Sequence, residues 1–392
     1  MRVVASQVEE LHRRGAEIDV FTLSSTRGGA FPLDRWVARR RAAPYQPESL
    51  TRRRLPMLTP YVHAWQTYRA WRRMERALAP LARELDQGGY DAVLVHDCPV
   101  TLAPPLLAGL QVPCVLYLHR IPHGLPPQEA PRSTRRERLK HLYYAPARHW
   151  LAARADALER RHLAAATVLA ANSHFTKELV YAHYGLQAHT CYPGVDTRVF
   201  RRLPPAESSP AMRPFVLSVG RLHWMKGHEL VLEAVGQIPV RLRPAVFIAT
   251  PEPPDPAAAA RFADLAAAME VELEIGAIPD DGALSRRYNG ALCTVTASYA
   301  EPFGLAAIES MACGTPVVAV SEGGLRETVV HGETGLLVDR RTGEMAKAIG
   351  RLAGDRAVRD RMGARAAETV CRQWTWRVAV DRLEACFEMA TE

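Results

Sequence analysis

The sequence predicts an α/β protein built from two doubly wound domains. Short, almost wholly apolar runs recur along the 392-residue chain, and stretches of helical length separate them. Such runs are typical of parallel strands that are buried on both faces of a sheet. The alternation occurs on both sides of a proline- and serine-rich segment at residues 203–210, which is the predicted linker.

The first half of the chain begins with a predicted helix at residues 3–14 and a strand at 17–23. Three further apolar runs predict strands at residues 91–96, 113–119 and 165–171. The most apolar region, about residues 92–118, is interrupted by polar residues and prolines. It therefore predicts two buried strands joined by a helix, not a membrane span.

The second half repeats the pattern with five predicted strands, at residues 215–219, 245–249, 272–275, 292–296 and 316–320. Together these elements divide the chain into a first domain at residues 1–203, a second at 204–373 and a terminal segment at 374–392. A hydrophobic content of 48% is sufficient for cores of this size.

Composition also bears on the compartment and on metal binding. The sequence shows no secretory signal and no membrane span. Its seven cysteines have no C-x-x-C spacing, and most lie in apolar runs. They are predicted to be reduced core residues of a cytoplasmic protein and not metal ligands.

Positive charge is concentrated in the first 200 residues, whose net charge is about +11. The whole chain has a net charge of +8, so the remaining residues are slightly acidic, at about −3. Much of the excess lies in two arginine clusters, at residues 35–73 and 132–140, and tryptophans and tyrosines are interleaved with the first. This pattern suits an acidic acceptor or peripheral contact with an anionic membrane, at its inner face for a cytoplasmic protein. The alternative is a solvated, arginine-rich face. No nucleic-acid-binding motif is present.

Two carboxylates stand out in the second half, Glu301 and Glu309, which enclose a Pro-Phe-Gly turn and the start of an apolar helix. Backbone amides of Phe303, Gly304 and Leu305 at such a helix start are suited to hold an anion, and glycine allows close approach. A carboxylate beside an anion site suits the hydroxyls of a sugar or ribose attached to a phosphate. The segment therefore predicts a nucleotide-sugar site.

A second segment carries two cations after a predicted strand. The strand at residues 215–219 ends in Gly220, and the loop that follows contains Arg221 and Lys226 before an amphipathic helix. Cations at the carboxyl end of a parallel strand are well placed to neutralise a diphosphate. The alternative for either residue alone is an ordinary surface charge.

Together these strings resemble the retaining glycosyltransferases of family 4. The resemblance rests on six segments in this order: Ala171-Asn-Ser173, Tyr192-Pro-Gly-Val-Asp196, Gly220-Arg-Leu with Lys226-Gly, Glu301 with Glu309, Gly314-Thr-Pro-Val-Val318 and Gly332-Glu-Thr-Gly-Leu-Leu337. It implies the GT-B fold, in which two Rossmann-like domains face a central cleft and a C-terminal helix crosses back onto the first domain.

The resemblance also implies roles for the residues of the second domain. Glu301 would bond the hydroxyls of the donor sugar, and Glu309 would bond the ribose. Arg221 and Lys226, together with the amides at 303–305, would stabilise the leaving diphosphate in place of a metal ion. Transfer would retain the anomeric configuration. The nucleotide sugar would be the donor substrate, and no cofactor would be needed.

Further site residues are expected at the ends of other strands. His119 ends a buried strand at the place where the family has a histidine facing the donor sugar; a structural histidine is the alternative. The expected acceptor-side residues are His96, Asp97, His123, Asn172 and Ser173. Tyr288 and Ile278 are expected to frame the base, although core packing would explain both.

The chain departs from the family pattern in two places. Family members have a first strand and a glycine-rich loop before the helix that here occupies residues 3–14, so we expect the natural protein to begin roughly 15–25 residues upstream, by the usual length of a strand and loop. In the second domain, a proline-rich loop at residues 250–256 replaces the usual glycines.

Two other functions fit parts of the pattern. One is a non-catalytic scaffold that binds a nucleotide sugar; the other is another GT-B enzyme, such as a nucleotide-sugar epimerase. Carrier nucleotide, donor sugar, acceptor, linkage and oligomeric state are not predicted by the sequence.

Overall fold

The computed structural model describes residues 2–23, 33–43, 59–98, 101–122, 135–204 and 213–392. The chain forms two compact units, of which the first is Met1–Tyr192 with Ala379–Glu392 and the second is Pro193–Val378. Each unit has its own parallel sheets. The units divide at residues 192 and 378, whereas the sequence placed domain boundaries at 203 and 373.

The described residues of the first unit form six parallel strands: β1 (Asp19–Leu23), β2 (Arg39–Ala43), β3 (Val93–His96), β4 (Cys114–Leu118), β5 (Val168–Ala171) and β6 (His189–Thr190). β1 pairs only with β2, and the other four form a sheet in the order β3–β4–β5–β6. In the described part of the chain, β1 and β3 each have a hydrogen-bonded neighbour on one side only. β4 and β5 are buried throughout, whereas β1 is half-buried along its length.

In the described ranges, four helices and part of a fifth belong to this unit: α1 (Arg2–Arg13), α2 (Thr59–Gln87), α3 (Arg135–Leu163), α4 (His174–Tyr184) and, from residue 379, α12 (Trp376–Thr391). Leu116 and Leu118 of β4 lie in one core with Leu85 of α2 and Val180 of α4. Burial of these side chains supplies the main stabilisation of the sheet.

The C-terminal helix packs on the opposite side of the β4–β5 pair. Leu383 and Cys386 of α12 join Val115 and Tyr117 in a second buried cluster. Arg14, which follows α1, reaches α12 and pairs with Asp381 at 2.8 Å. The last residues therefore belong to the first unit, as the family resemblance implied.

The second unit contains a six-stranded parallel sheet. Its strands are β7 (Phe215–Val219), β8 (Ala245–Thr250), β9 (Leu273–Ala277), β10 (Thr294–Thr296), β11 (Val317–Val320) and β12 (Gly335–Val338). They lie in the order β12–β11–β10–β7–β8–β9. This is the doubly wound order, with a topological switch point between β7 and β10, and ligands bind such sheets outside the carboxyl ends of the strands at that point.

The helices of the second unit are α5 (His228–Gly236), α6 (Pro256–Ala268), α7 (Asp281–Gly290), α8 (Leu305–Ala312), α9 (Leu325–Thr328), α10 (Thr342–Gly354) and α11 (Arg356–Gln373). Several begin at a side-chain cap. Asp255 accepts a hydrogen bond from the amide of Ala258 at 2.9 Å at the start of α6, and Asp280 accepts one from that of Ala283 at 2.7 Å in α7.

All nine strands predicted from apolar runs are present, with shifts of a few residues at their ends. The two strands predicted within residues 92–118 are joined by a short 3-10 helix, Pro105–Gly109. All seven cysteines are thiols; six of them are buried, and Cys371 is exposed. No helix in the described ranges is long and apolar enough to span a bilayer.

Candidate active site

The loop after β7 lies at the switch point of the second unit. Gly220 has a φ of +148°, and a Cβ there would lie 3.0 Å from Cγ of Lys226, so glycine leaves room for the lysine stem. Gly227 has a φ of +66°, and its Cβ would lie 2.2 Å from the carbonyl oxygen of Ala297. These two glycines let the loop approach the end of β10 closely.

Lys226 and Glu301 meet at this edge of the sheet. The Lys226 ammonium donates a hydrogen bond to Oε2 of Glu301 at 2.9 Å, with side-chain exposures of 36% and 18%. The backbone reinforces the contact, because the amide of Tyr299 donates to the carbonyl of Met225 at 2.8 Å. The structure thus brings together two residues that are 75 positions apart in the sequence.

The segment that contains Glu301 has an unusual backbone. Ala300 adopts a φ of +45°, a left-handed conformation that costs free energy for a residue with a Cβ. The carbonyl of Glu301 accepts a hydrogen bond from the amide of Gly324 at 2.9 Å. A Cβ on Gly324 would lie 2.4 Å from the carbonyl oxygen of Pro302, so close packing of the two loops maintains this geometry.

Helix α8 begins directly after this segment, with Gly304 as its N-cap at a φ of +100°. Its first amides, of Leu305 and Ala306, have no partner within the helix. Phe303 does not face this end; it is 2% exposed and its ring packs edge-on against Trp374, 5.5 Å away. The helix N-terminus can thus attract an anion, while Phe303 anchors the turn.

Glu309 lies one helical turn further into α8 and is only 3% exposed. The hydroxyl of Tyr288 donates a hydrogen bond to Oε2 of Glu309 at 2.9 Å. Tyr288 itself is fully buried in α7, and its carbonyl accepts a hydrogen bond from Thr315 at 2.7 Å. Its contacts are those of a core residue that holds Glu309, so its place beside the base stays a prediction. Ile278 is half-buried directly after β9.

Arg221 has an exposed side chain that forms no hydrogen bond or ion pair with the described residues. Its carbonyl accepts a hydrogen bond from Nε2 of His228 at 3.2 Å, and Nδ1 of His228 lies 2.8 Å from the hydroxyl of Ser218. Burial lowers the pKa of His228 to about 4, so the ring is neutral: Nε2 donates and Nδ1 accepts from the serine. The sequence did not suggest this role of His228 in connecting β7 to the loop.

Arg340, which follows β12, was also missed. Its guanidinium pairs with both carboxylate oxygens of Glu322, at 2.8 and 2.6 Å. It donates to the carbonyls of Ala297 at 2.7 Å and Ser298 at 3.0 Å and lies 3.6 Å above the ring of Tyr299. One side chain thus fixes the backbone that leads to Glu301. An arginine two residues after the apolar run of β12 was the available signal.

A separate polar group lies at the carboxyl ends of β3, β4 and β5 in the first unit. Nδ1 of His96 lies 2.9 Å from Nε2 of His119, and the two rings stack at 5.1 Å. Burial lowers the pKa of each histidine to about 3. One ring therefore donates to the other, and both are neutral at pH 7.

Three more predicted residues join this group. Asp97 accepts a hydrogen bond from Nε of Arg120 at 2.9 Å, and Arg120 is a residue that the sequence did not suggest. The side-chain amide of Asn172 donates to the carbonyl of His119 at 3.0 Å. Ser173 caps α4 by accepting from the amide of Thr176 at 3.0 Å. The structure therefore clusters the predicted residues except His123, which lies outside the described residues.

The proline-rich loop at 250–256 has its own hydrogen bonds. Thr250 donates through its hydroxyl to the carbonyl of Glu252 at 2.8 Å, before Asp255 caps α6. Within the described ranges, no group of three or more His, Cys, Asp or Glu side chains is placed to hold a metal ion.

Two family models match the chain. A model described as "Glycosyltransferase Family 4" matches residues 2–199, and one described as "Glycosyl transferases group 1" matches residues 199–369. The chain belongs to glycosyltransferase family 4. The first match covers strands β1–β6 of the first unit, and the second match covers the Lys226–Glu301 pair.

Curated relatives of this family member include enzymes named D-inositol 3-phosphate glycosyltransferase. The protein from Kribbella flavida is 32% identical over 255 residues, which cover 60% of this chain and 59% of the relative. That from Acidothermus cellulolyticus is 37% identical over 179 residues, or 41% of this chain and 39% of the relative. The chain thus matches about three fifths or less of these relatives' length.

Solved structures show the same fold. Sucrose-phosphate synthase from Thermosynechococcus elongatus superposes with a TM-score of 0.71 at 22% identity, over 98% of this chain and 92% of that one. Anabaena Alr3699/HepE in complex with UDP and glucose gives a TM-score of 0.66 at 16% identity, over 99% and 95%. The family member therefore has the GT-B fold, with a Rossmann-like sheet in each unit.

Proposed function

We propose that this protein transfers a sugar from a nucleotide-diphosphate sugar to an alcohol acceptor, with retention of configuration and without a metal ion. The observation that carries the proposal is the Lys226–Glu301 contact of 2.9 Å at the switch point of the second sheet. It joins a cation suited to a phosphate with a carboxylate suited to sugar hydroxyls. Membership of family 4 supports the same activity.

The chemistry requires stabilisation of a leaving diphosphate. As the bond from C1 of the sugar to the diphosphate breaks, negative charge grows on the leaving oxygen and positive charge on the ring. Arg221 and Lys226 supply two positive charges, and the start of α8 supplies oriented amides. Arg221 is suited to this role because its guanidinium is exposed and forms no ion pair in the described part of the chain, while His228 holds its backbone.

Glu301 would hydrogen-bond the donor sugar's hydroxyls, and Glu309, held by Tyr288, would bond the ribose. The acceptor would attack from the face that the diphosphate leaves, so that the leaving phosphate receives the acceptor's proton. No separate strong base is then needed. The neutral His96–His119 pair of the first unit suits hydrogen bonding to sugar hydroxyls rather than proton abstraction, because a pKa of about 3 leaves each ring a weak base.

UDP-sugars are the first donors to test, because a protein of the same fold has been solved with UDP and glucose. A phosphorylated cyclitol is the first acceptor to test, since the curated relatives carry the name D-inositol 3-phosphate glycosyltransferase. Both are starting points within the general proposal of an alcohol acceptor and a nucleotide-diphosphate donor.

The test compares Lys226→Ala with the unchanged protein in nucleotide release from UDP-, GDP- and ADP-sugars, with and without EDTA. We expect turnover to fall roughly 10²–10³-fold, the usual effect of removing one transition-state donor. Lys347→Ala is the matched control, because Lys347 also forms a 2.9 Å pair with a glutamate but lies exposed on α10. EDTA should leave the rate unchanged.

The outcome separates the proposal from a scaffold role. Turnover of a donor that depends on Lys226 but not on Lys347 supports transfer. Tight donor binding by calorimetry, with neither transfer nor hydrolysis for any acceptor class, would instead indicate a non-catalytic binding protein. A requirement for added metal would contradict the metal-independent mechanism.

A further inference from the structure

An exposed aromatic surface extends across helices α2 and α3 of the first unit. Tyr61 and Trp65 on α2 are 49% and 51% exposed, and Tyr143 and Trp150 on α3 are 44% and 38% exposed. Exposed single aromatics are ordinary, but four on two adjoining helices form an unusual concentration. Together with Tyr68, which lies between them, they are here called the α2–α3 patch.

Ring contacts show that the patch is continuous. The Tyr68 ring lies 6.2 Å from that of Trp65 on its own helix and 5.8 Å from that of Trp150 on α3. Tyr61, Trp65 and Tyr68 occupy positions i, i+4 and i+7 of α2, and Tyr143 and Trp150 are seven positions apart on α3. These spacings place the members of each helix on a single face.

The same faces carry arginines. Arg69 and Arg76 follow Trp65 by 4 and 11 positions and are exposed, and neither forms an ion pair with the described residues. On α3, the exposed Arg154 lies 5.7 Å from the ring centroid of Trp150. The acidic neighbour, Glu75, is already engaged, since it pairs with Arg72 at 2.5 Å and Arg161 at 3.5 Å. The face around the rings is therefore cationic.

We propose that the α2–α3 patch docks this protein on an anionic lipid bilayer. Tryptophan and tyrosine favour the interface between headgroups and acyl chains, because one part of each ring system is apolar and another forms hydrogen bonds. Arginines beside them would pair with anionic headgroups. This contact is separate from sugar transfer, because it uses no residue of the proposed donor site.

The sequence indicated membrane contact through the arginine clusters at 35–73 and 132–140, and the α2–α3 patch keeps one part of the first cluster, namely Tyr61, Trp65, Tyr68 and Arg69 on α2. Arg39, Arg40 and Arg41 form strand β2, and Arg41 pairs with Glu84. Residues 52–54 and the side chains of 132–140 lie outside the described residues. Trp150 and Arg154, which the sequence did not single out, complete the patch.

The test is flotation of the full chain with two kinds of vesicle. One is phosphatidylcholine alone, and the other also contains about 30–40% phosphatidylglycerol, which gives it a strongly negative surface. The double variant Trp65→Ser/Trp150→Ser removes the two largest rings, and Arg69→Gln/Arg76→Gln removes two charges. Tyr181→Ser is the matched control, because Tyr181 is 56% exposed on α4 of the same unit but belongs to neither helix of the patch.

We expect binding to the anionic vesicles only. The tryptophan variant should bind at least tenfold more weakly, and the arginine variant roughly fivefold more weakly for each charge removed. Binding of the control should not change. Circular dichroism and nucleotide-sugar turnover of each variant show that it is folded and that the donor site is intact.

Three results would overturn the proposal. One is no binding to anionic vesicles; another is equal binding to both vesicle types; the third is binding that both double variants retain. A single-stranded oligonucleotide provides a further arm, since arginines and aromatic rings can also bind bases. Oligonucleotide binding that the patch variants abolish, without vesicle binding, would assign the surface to a nucleic acid instead.

Discussion

At the scale of single residues, the proposed donor site depends on side chains that hold its loops in place. Arg340 connects the carbonyls of Ala297 and Ser298 to Glu322 and covers Tyr299. Directly after these residues, Ala300 is held in a left-handed conformation and Glu301 meets Lys226. Arg340 is thus a positioning residue, because its contacts determine where the Glu301 carboxylate lies.

Arg340→Lys is expected to lower kcat/KM for the donor by about 10-fold to 100-fold, the effect of a small misplacement in a reacting site. Lysine keeps the charge but cannot pair bidentately with Glu322, bond two carbonyls and stack on Tyr299 at once. Steady-state kinetics with varied donor concentration would check this. The neighbouring, exposed Arg341→Lys is the control. Unchanged kinetics with a lower melting temperature would mean that Arg340 is purely structural.

Residue types and local spacing singled out part of the proposed donor site. Glu301, Glu309, Arg221 and Lys226 were recognised because charged residues next to a glycine turn or a strand end are conspicuous in a sequence. His228 and Arg340 were not recognised. Each forms hydrogen bonds with backbone carbonyls. Because every residue has a backbone carbonyl, the sequence does not show which ones accept such bonds.

At the scale of elements, the link between β7 and α5 is held by a buried neutral histidine. His228, the first residue of α5, bridges Ser218 of β7 and the carbonyl of Arg221. Its pKa is lowered to about 4 because burial penalises the charged form. The unfolded chain binds a proton near pH 6.5, whereas the folded chain does so only near pH 4.

The unfolding free energy is therefore expected to fall as the pH is lowered from 6.5 toward 4. Within that range, protonation of His228 would lower the free energy of unfolding by about 1.4 kcal/mol for each pH unit of acidification. Above pH 6.5, His228 would add no pH dependence to the free energy of unfolding. His228→Gln should weaken this dependence in urea titrations at pH 8, 6.5 and 5. The exposed His223→Gln in the same loop serves as the control. An unchanged pH dependence in His228→Gln would contradict the buried neutral ring.

Element prediction succeeded for most strands that leave an apolar run in the sequence, but β12 (Gly335–Val338), a run of only four residues, was not predicted. All strands of the β7–β11 set and both buried strands of the first unit were predicted. β2 was missed because Arg39-Arg-Arg-Ala-Ala43 has no alternation of apolar and polar residues. It is a strand because its backbone pairs with that of β1. β6 has only two residues, too few for any periodicity to appear.

At the scale of the whole molecule, the first unit is assembled from both ends of the chain. Leu383 of α12 is fully buried and lies in one cluster with Val115, Tyr117 and Cys191. Tyr117 also donates a hydrogen bond from its hydroxyl to the carbonyl of Cys191 at 2.5 Å. The stability of the β4–β5 pair should therefore depend on residues that follow the second unit.

Leu383→Ala is expected to lower the stability of the first unit by about 2–5 kcal/mol, the usual effect of creating a core cavity. Hydrogen exchange measured by mass spectrometry should show faster exchange in β4 and β5, while β7 and β10 keep their rates. Met389→Ala, on the same helix but 38% exposed, is the control. Equal acceleration in both units would show that they do not unfold separately.

The position of α12 also has a consequence during synthesis. A ribosome finishes the whole of Pro193–Val378 before it makes Ala379–Glu392, so the second unit has all of its residues while the first still lacks its final helix. Domains generally fold as they emerge, in order from the N-terminus. Here the second unit is fully synthesised before the first unit receives its last helix. Until Leu383 and Cys386 have been synthesised, the nascent first unit lacks the side chains that pack against Val115 and Tyr117 on one side of its sheet.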